Sequence, residues 1–430
     1  MNAQGYFPGL SNNQWDSTSA TELSWCQPNI DSLYSFLDSS NSKSFILIKD
    51  GKIVLEKYFD GHSDTSNWYW ASAGKTLTSF LVGIAQEEGF LNISDTSSKY
   101  LGNNWSSAGS SKESLISIKD HLSMTSGLND SNNPDCTDDT CMLYLADAGT
   151  RWAYRNAPYT LLDEVIRSST GRSLNLYLNQ KLKTLIGMDG LFLPLGYNNV
   201  YWSTSRSMAR FGLLMLNNGV WDGTTVMQDS IYFNEMIETS QSLNLSYGYL
   251  WWLNGKSSFM LPQSQFVFPG MLCPDAPADM FAAMGKNGQL INVIPSLNMV
   301  WIRMGDSPDN LLVPANLNND IWKHINMLEC DQTGQKEELD SFSFHVYPNP
   351  SSGAFNINFD STPSSLDLSI YNLQGQRLFE QNFQNRASIS FNPNLASGHY
   401  ILELKTGSQA KHVSIVIQQP QRGFMGAPLG

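Results

Sequence analysis

Charge is scarce in this chain. Asp, Glu, Lys and Arg make up 15% of its 430 residues, and the formal net charge is -13. A chain this acidic gains no counterion-release energy from phosphates, which argues against a nucleic acid partner. Long apolar runs are also missing. None approaches the roughly 18–20 residues that span a bilayer, so no transmembrane segment is expected. Met1-Asn2-Ala3-Gln4-Gly5 has neither a charged n-region nor an apolar h-region, so no signal peptide is read here. The Ala-Gln dipeptide reads as the remnant of a removed one. Two hydrolase signatures are absent as well. There is no H-E-x-x-H, and the nearest approach to a G-x-S-x-G elbow is Trp70-Ala71-Ser72-Ala73-Gly74, with Trp where the first glycine belongs. The six histidines, His62, His121, His324, His345, His399 and His412, stand in no recognisable triad context.

Cysteine is sparse at five residues: Cys26, Cys136, Cys141, Cys273 and Cys330. Cys136 and Cys141 bracket a short acidic loop without histidine, which favours a disulfide over a zinc site. Cys26 and Cys330 flank the first domain and pair if its ends meet. One thiol is then left over. Disulfides fit an oxidising compartment. Neither a metal nor a cofactor is expected.

What is present is an aromatic-rich globular composition, with 41% hydrophobic and 12% aromatic residues. Phe45–Ile48 and Ile53–Leu55 flank Asp50-Gly51, a hairpin signal because Asp-Gly supplies the positive φ angles of a type I′ turn. From Ser72, the apolar positions Leu77, Phe80, Leu81, Ile84 and Ala85 form a helical stripe that stops at Gly89. Helices are expected again over 159–169 and 207–217. Strands follow at 281–284, 291–294 and 299–302, then a last helix carries Ile321, Trp322, Ile325 and Leu328. This order predicts an α/β domain over residues 21–330. Its antiparallel sheet draws strands from both chain ends, is flanked by helices, and carries an inserted helical subdomain. Residues 1–20 form an N-terminal segment and 331–340 a polar linker. Residues 341–418 alternate with period 2 between turn residues, as at Phe355/Ile357/Phe359 and Leu366/Leu368/Ile370, and predict a small β-sandwich. A tail, 419–430, closes the chain.

Three motifs carry candidate chemistry. Ser72-Ala73-Gly74-Lys75 is an S-x-x-K. Residues i and i+3 share a helix face, so the lysine nitrogen lies beside the serine hydroxyl, and the helix N-terminus favours an anion forming there. The bland alternative for Ser72 is a helix N-cap. The pattern recurs at Ser40–Lys43 and Ser408–Lys411, but only Ser72 opens an amphipathic helix after a hairpin. Tyr154-Arg155-Asn156 precedes a long helix, and Tyr-x-Asn occurs elsewhere too, for example at Tyr177, Tyr197 and Tyr347. Gly285-Lys286-Asn287-Gly288-Gln289 lies between two strands, where small residues let a substrate lie against the backbone and offer N–H groups to an oxyanion. Lys286 there is placed to hold a substrate carboxylate or to lower the tyrosine's pKa; the alternative is a solvated turn lysine. A literal Lys405-Thr406-Gly407 is rejected because it sits at a turn of the terminal sandwich.

Ser-x-x-Lys, Tyr-x-Asn and Lys-x-Gly in this order resemble the serine β-lactamase and penicillin-binding superfamily, on the class C side, with its family VIII esterase relatives. Ile116 to Leu128, Asn156 to Leu162, Ser203 to Gly212 and Tyr247 to Trp252 match further stretches of that family, over roughly residues 40–330. The Gly-x-x-Gly-Gln form of the third motif is similar to that of 6-aminohexanoate-oligomer hydrolases. The resemblance implies a β-lactamase-like fold and acylation of Ser72, with Lys75 and Tyr154 handling its proton. It also implies that Asn156 and Lys286 orient substrate, and that the backbone N–H groups of Ser72 and Gln289, in the segment that includes Gly288, form the oxyanion hole. Met124 stands where the family often has His, Ser207 where it often has Asp, and the third motif reads Lys-Asn-Gly. The last departure favours a small ester or amide substrate over β-lactam turnover. The alternatives are a β-lactamase or D,D-peptidase-like penicillin-binding enzyme, and an inactive surface-displayed binding protein. Val346 to Phe355, Asn372 to Gly375 and Ser397 to Leu402 resemble the type IX secretion C-terminal sorting domain of Bacteroidetes. That implies the type IX machinery as a partner and a secreted or cell-surface location.

Overall fold

The computed structural model describes residues 5–10, 14–131, 133–306, 311–330, 343–406 and 409–418. The expected linker at 331–340, the tail at 419–430 and residues 1–4 lie outside the described residues. The chain forms two compact units. One comprises residues 1–263 and 267–331, the other residues 264–266 and 332–430.

The larger unit is built on a six-stranded antiparallel sheet. Its strands are β1 (Ser42–Lys49), β2 (Lys52–Tyr58), β3 (Trp252–Leu253), β4 (Phe281–Gly285), β5 (Gln289–Ile294) and β6 (Met299–Gly305). Their spatial order is β2-β1-β6-β5-β4-β3, so strands from both chain ends meet where β1 pairs with β6. Asp50 and Gly51 turn the first hairpin with φ of 52° and 83°, the left-handed geometry that Asp-Gly supplies.

The long helices are α1 (Gln27–Ser39), α2 (Lys75–Glu87), α3 (Asn156–Thr170), α4 (Ser205–Leu216) and α5 (Ala315–Asn326); α1, α4 and α5 cover the two faces of this sheet, and α2 packs on α3. Successive side chains of β6 show the two faces. Trp301 meets Trp322 of α5 at 6.0 Å between ring centroids, whereas a Cβ on Gly212 of α4 would lie 2.6 Å from Val300 Cγ1. With both faces covered, Phe45, Ile46, Leu47 and Ile48 are all at 0% exposure, and β1 reads as a continuous apolar run. Cys26, just ahead of α1, and Cys330, after α5, form a disulfide with Cα atoms 5.1 Å apart. The ends of the domain therefore do meet. Cys136 and Cys141 form the second disulfide, and Cys273 is a buried free thiol.

α3 and α4 start earlier than their apolar periodicity indicates, at Asn156 and Ser205. Pro158 is tolerated in the first turn of α3 because no N–H there needs an intrahelical acceptor. The Thr204 side chain accepts from Ser207 N and sets the start of α4.

The smaller unit has two antiparallel sheets. Strands β7 (Phe344–Tyr347), β8 (Phe355–Phe359) and β11 (Ser388–Phe391) form one. Strands β9 (Ser365–Asn372), β10 (Arg377–Gln384), β12 (Gly398–Thr406) and β13 (Gln409–Ile417) form the other. Its core contains Phe355, Ile357, Leu366, Leu368, Ile370, Leu402, Leu404, Ile415 and Ile417, the alternate residues that a sandwich buries. Lys405 and Thr406 end β12 in this unit, while Gly407 lies outside the described residues.

Candidate active site

Ser72 lies in a single 3-10 turn, Ala71–Gly74, that runs directly into α2. The turn is locked from outside. Trp70 is fully buried, its N–H donates to Tyr201 O at 2.8 Å and its indole N–H to Ser203 Oγ at 2.8 Å. Ala71 is held at φ 45°, a strained value for a residue with a Cβ. Gly285 at the end of β4 presses on the turn. A Cβ there would fall 2.5 Å from Trp70 O and 3.0 Å from Ser72 N. A side chain at that position would displace the turn that carries Ser72.

Every residue of α2 from Lys75 to Ala85 is buried, so the helix draws Lys75 into the interior at 3% exposure. Lys75 Nζ donates to Ser72 Oγ at 2.8 Å. It also lies 4.5 Å from the centroid of the Tyr159 ring and 5.3 Å from that of Tyr154. Burial drives the lysine pKa from its ordinary 10.5 down to about 7, against an upward pull from the Asp135 carboxylate. Burial pushes the Tyr154 phenol well above the usual 10, against a smaller downward pull from Ser72. Its ring is stacked on Trp252 at 5.9 Å and meets Tyr247 edge-on at 6.3 Å. Ala153 N donates to Met124 O at 2.9 Å, which fixes the extended segment that presents Tyr154.

Asn156 begins α3, and its Nδ2 donates to Asp135 Oδ1 at 2.6 Å. Its Oδ1 is buried without a hydrogen-bond partner among the described residues. Such an acceptor is costly to leave unmade and suits an incoming N–H.

The β4–β5 hairpin turn packs against the Ser72 turn. Lys286 is exposed on it. Gly288 and Gln289 are turned elsewhere. A Cβ on Gly288 would lie 2.2 Å from Arg303 Nη1, and the Gln289 side chain exchanges hydrogen bonds with Gly305, donating from Nε2 at 2.5 Å and accepting at Oε1 at 3.1 Å. Gln289 pairs across the ladder with Gly285, so Gly285 is the residue set against Ser72. The pairing of β3 with β4 stops at Phe281 and Ala282, leaving the outer edge of Ala283–Gly285 without a strand partner among the described residues.

The structure thus gathers Ser72, Lys75, Tyr154 and Asn156 at one place, with Lys286 on the adjoining turn. Sequence reasoning gave no site role to Tyr159 or Asp135, and none of its own to Gly285. Gly285 was visible only as a small residue ahead of the lysine, and Asp135 only as one acid in an acidic loop. Among the described residues, the one grouping of metal-ligand side chains is Cys136, Asp138 and Cys141, and its two sulfurs are bonded to each other.

Residues 40–304 match the family model described as Beta-lactamase, and residues 345–418 match the Secretion system C-terminal sorting domain. The second match marks the chain for export by the type IX machinery to the cell surface or beyond. An uncharacterized protein of Alkalihalophilus pseudofirmus is 25% identical over 321 residues, 65% of this chain and 88% of its own length. A Bacillus anthracis protein proposed to be a 6-aminohexanoate-dimer hydrolase superposes with a TM-score of 0.54 at 19% identity, over 76% of this chain and 92% of that one. A family VIII carboxylesterase gives 0.51 at 15% identity, over 70% and 97%. A penicillin-binding protein homolog from Caulobacter crescentus gives 0.54 at 14%, over 69% and 96%. At these identities the structural likenesses establish the fold alone.

Proposed function

The chain belongs to the Beta-lactamase family, and from that premise we propose that it is an exported serine hydrolase cleaving small esters or amides through an acyl-enzyme on Ser72. The observation that carries this reading is the 2.8 Å bond between Ser72 Oγ and a Lys75 amine that burial brings to a pKa of about 7. Burial thus favours the neutral amine, which is able to take a proton. Tyr154 is pushed in the opposite direction and stays a phenol. Lys75 therefore takes the Ser72 proton as Oγ attacks the acyl carbonyl. The resulting ammonium returns it to the leaving group, with the Tyr154 hydroxyl as the bridge. Water then attacks the acyl-enzyme, Lys75 accepts its proton and passes it to Ser72 Oγ as the acyl–Oγ bond breaks, so the acid leaves and both residues are restored. The oxyanion is met by Ser72 N–H and by the backbone at Gly285–Lys286, the free edge beside it, rather than at Gln289. Asn156 Oδ1 takes a substrate N–H, and Lys286 takes a carboxylate. The Lys-Asn-Gly turn supports ester or amide over β-lactam substrates.

Intact mass spectrometry after separate incubation with a fluorophosphonate, a p-nitrophenyl ester and a penicillin tests this. A fluorophosphonate adduct on Ser72, with ester turnover and no lasting penicillin adduct, is the expected result. A persistent penicilloyl adduct would make it a penicillin-binding enzyme, and no adduct from any of the three would leave a binding protein.

A further inference from the structure

The loop closed by Cys136 and Cys141 is fastened to the catalytic segment at three consecutive residues after Tyr154. Arg155 Nη2 donates to Cys141 O at 2.9 Å, Asn156 Nδ2 to Asp135 Oδ1 at 2.6 Å, and Ala157 N to Pro134 O at 2.9 Å. The outer side is tied by Tyr197, whose hydroxyl donates to Asp138 Oδ2 at 2.6 Å. We infer that Asp135, pinned in place by the Cys136–Cys141 cross-link, is a positioning residue for the Ser72–Lys75 pair, so that hydrolysis reaches its full rate only with this disulfide closed. The disulfide forms in an oxidising compartment, so export and activity are coupled.

The groups that face Lys75 are Ser72 from its own turn, Tyr154 from the segment before α3, Tyr159 from α3 and Asp135 from the loop. Burial holds both tyrosines above their usual pKa, so they stay neutral. Lys286 is exposed on the neighbouring turn. Among these groups, Asp135 is the one whose field pulls the Lys75 pKa up. A carboxylate favours the ammonium, so losing it lets Lys75 shed its proton at lower pH and makes it a weaker base.

The inference rests on Lys75 as the proton acceptor of the proposed reaction, and its test is the pH profile of kcat/KM for the full chain. Asp135→Asn keeps an acceptor for Asn156 and removes only the charge. Its acid limb is expected to move down by about half a pH unit or more, with a plateau lower by roughly 3–10-fold. Cys136→Ser/Cys141→Ser should move the limb the same way, and adding Asp135→Asn to it should move it no further. If Ser72→Ala is inactive but neither variant shifts the limb, this inference falls alone. Full turnover in Ser72→Ala would remove the reaction itself. Should the cysteine variant fail to fold, an unmoved limb in Asp135→Asn still overturns the inference.

Discussion

Cys26 and Cys330 are 304 positions apart, and their disulfide fastens the first long helix to the last; Cys136 and Cys141 are 5 apart, and theirs closes only a loop. The neighbourhood of the first pair is structural. Cys26 N donates to Leu328 O at 2.9 Å, Cys330 N to Ser24 O at 2.7 Å, and Asn29 Nδ2 to Met327 O at 2.6 Å. In the chain-entropy view, closing so long a loop stabilises by roughly 6 kcal/mol, and closing the short one by roughly 2 kcal/mol. The cross-link worth less to stability is the one that adjoins Tyr154, Asn156 and Lys75. Stability and chemistry are thus assigned to different segments of one domain.

The sharpest test of that division is Ser72→Ala. Turnover should fall on the order of 10⁴-fold or more, since nucleophile and base act as a unit. The melting temperature should hold, and a large drop in it would break the division. Cys26→Ser/Cys330→Ser is the converse. It should cost roughly 3–5 kcal/mol by denaturant titration and keep kcat at temperatures where the chain stays folded. Lost kcat in folded protein would tie the helix ends to the site. Next, Lys75→Ala and Tyr154→Phe should each lower kcat on the order of 10²-fold or more. The wild-type rate should rise with pH as Lys75 loses its proton near pH 7. That limb should survive in Tyr154→Phe and vanish in Lys75→Ala; the reverse would make the tyrosine the base. Smallest of these, Gly285→Ala should lower kcat by about 10-fold through displacement of the Ser72 turn. Wild-type activity there would mean that the turn yields without cost.

How far each part was legible depended on whether its physics is local. Phe355, Ile357 and Phe359 bury every second residue, so the smaller unit declared itself through alternation. In β1 the run Phe45–Ile48 is buried throughout, and no pattern within it says which residues face α4 and which α5. Ser72 and Lys75 were found because a helical turn alone puts them together. The tyrosine motif was less decided. Tyr177 proves to bond Glu88 Oε2 at 2.8 Å, and Tyr197 bonds Asp138 on the surface, leaving Tyr154 beside Ser72. The family resemblance pointed to Gly288 and Gln289 for the oxyanion, whereas in the fold these two pack against Arg303 and Gly305 and Gly285 adjoins the Ser72 turn.

The sequence by itself determined the β-hairpin at Asp50-Gly51, the helix that follows Ser72, the short disulfide loop and the alternation of the terminal sandwich. The disulfide loop follows from two cysteines five positions apart with no histidine between them, and the others from φ preferences or from a period of 2 or 3.6 within a few residues. Only the tertiary structure decided that Lys75 is buried against Ser72, that Gly285 rather than Gln289 lies against the Ser72 turn, and that Asp135 is bonded to Asn156. These depend on desolvation and on contacts between segments far apart in the chain, and neither is written in local spacing.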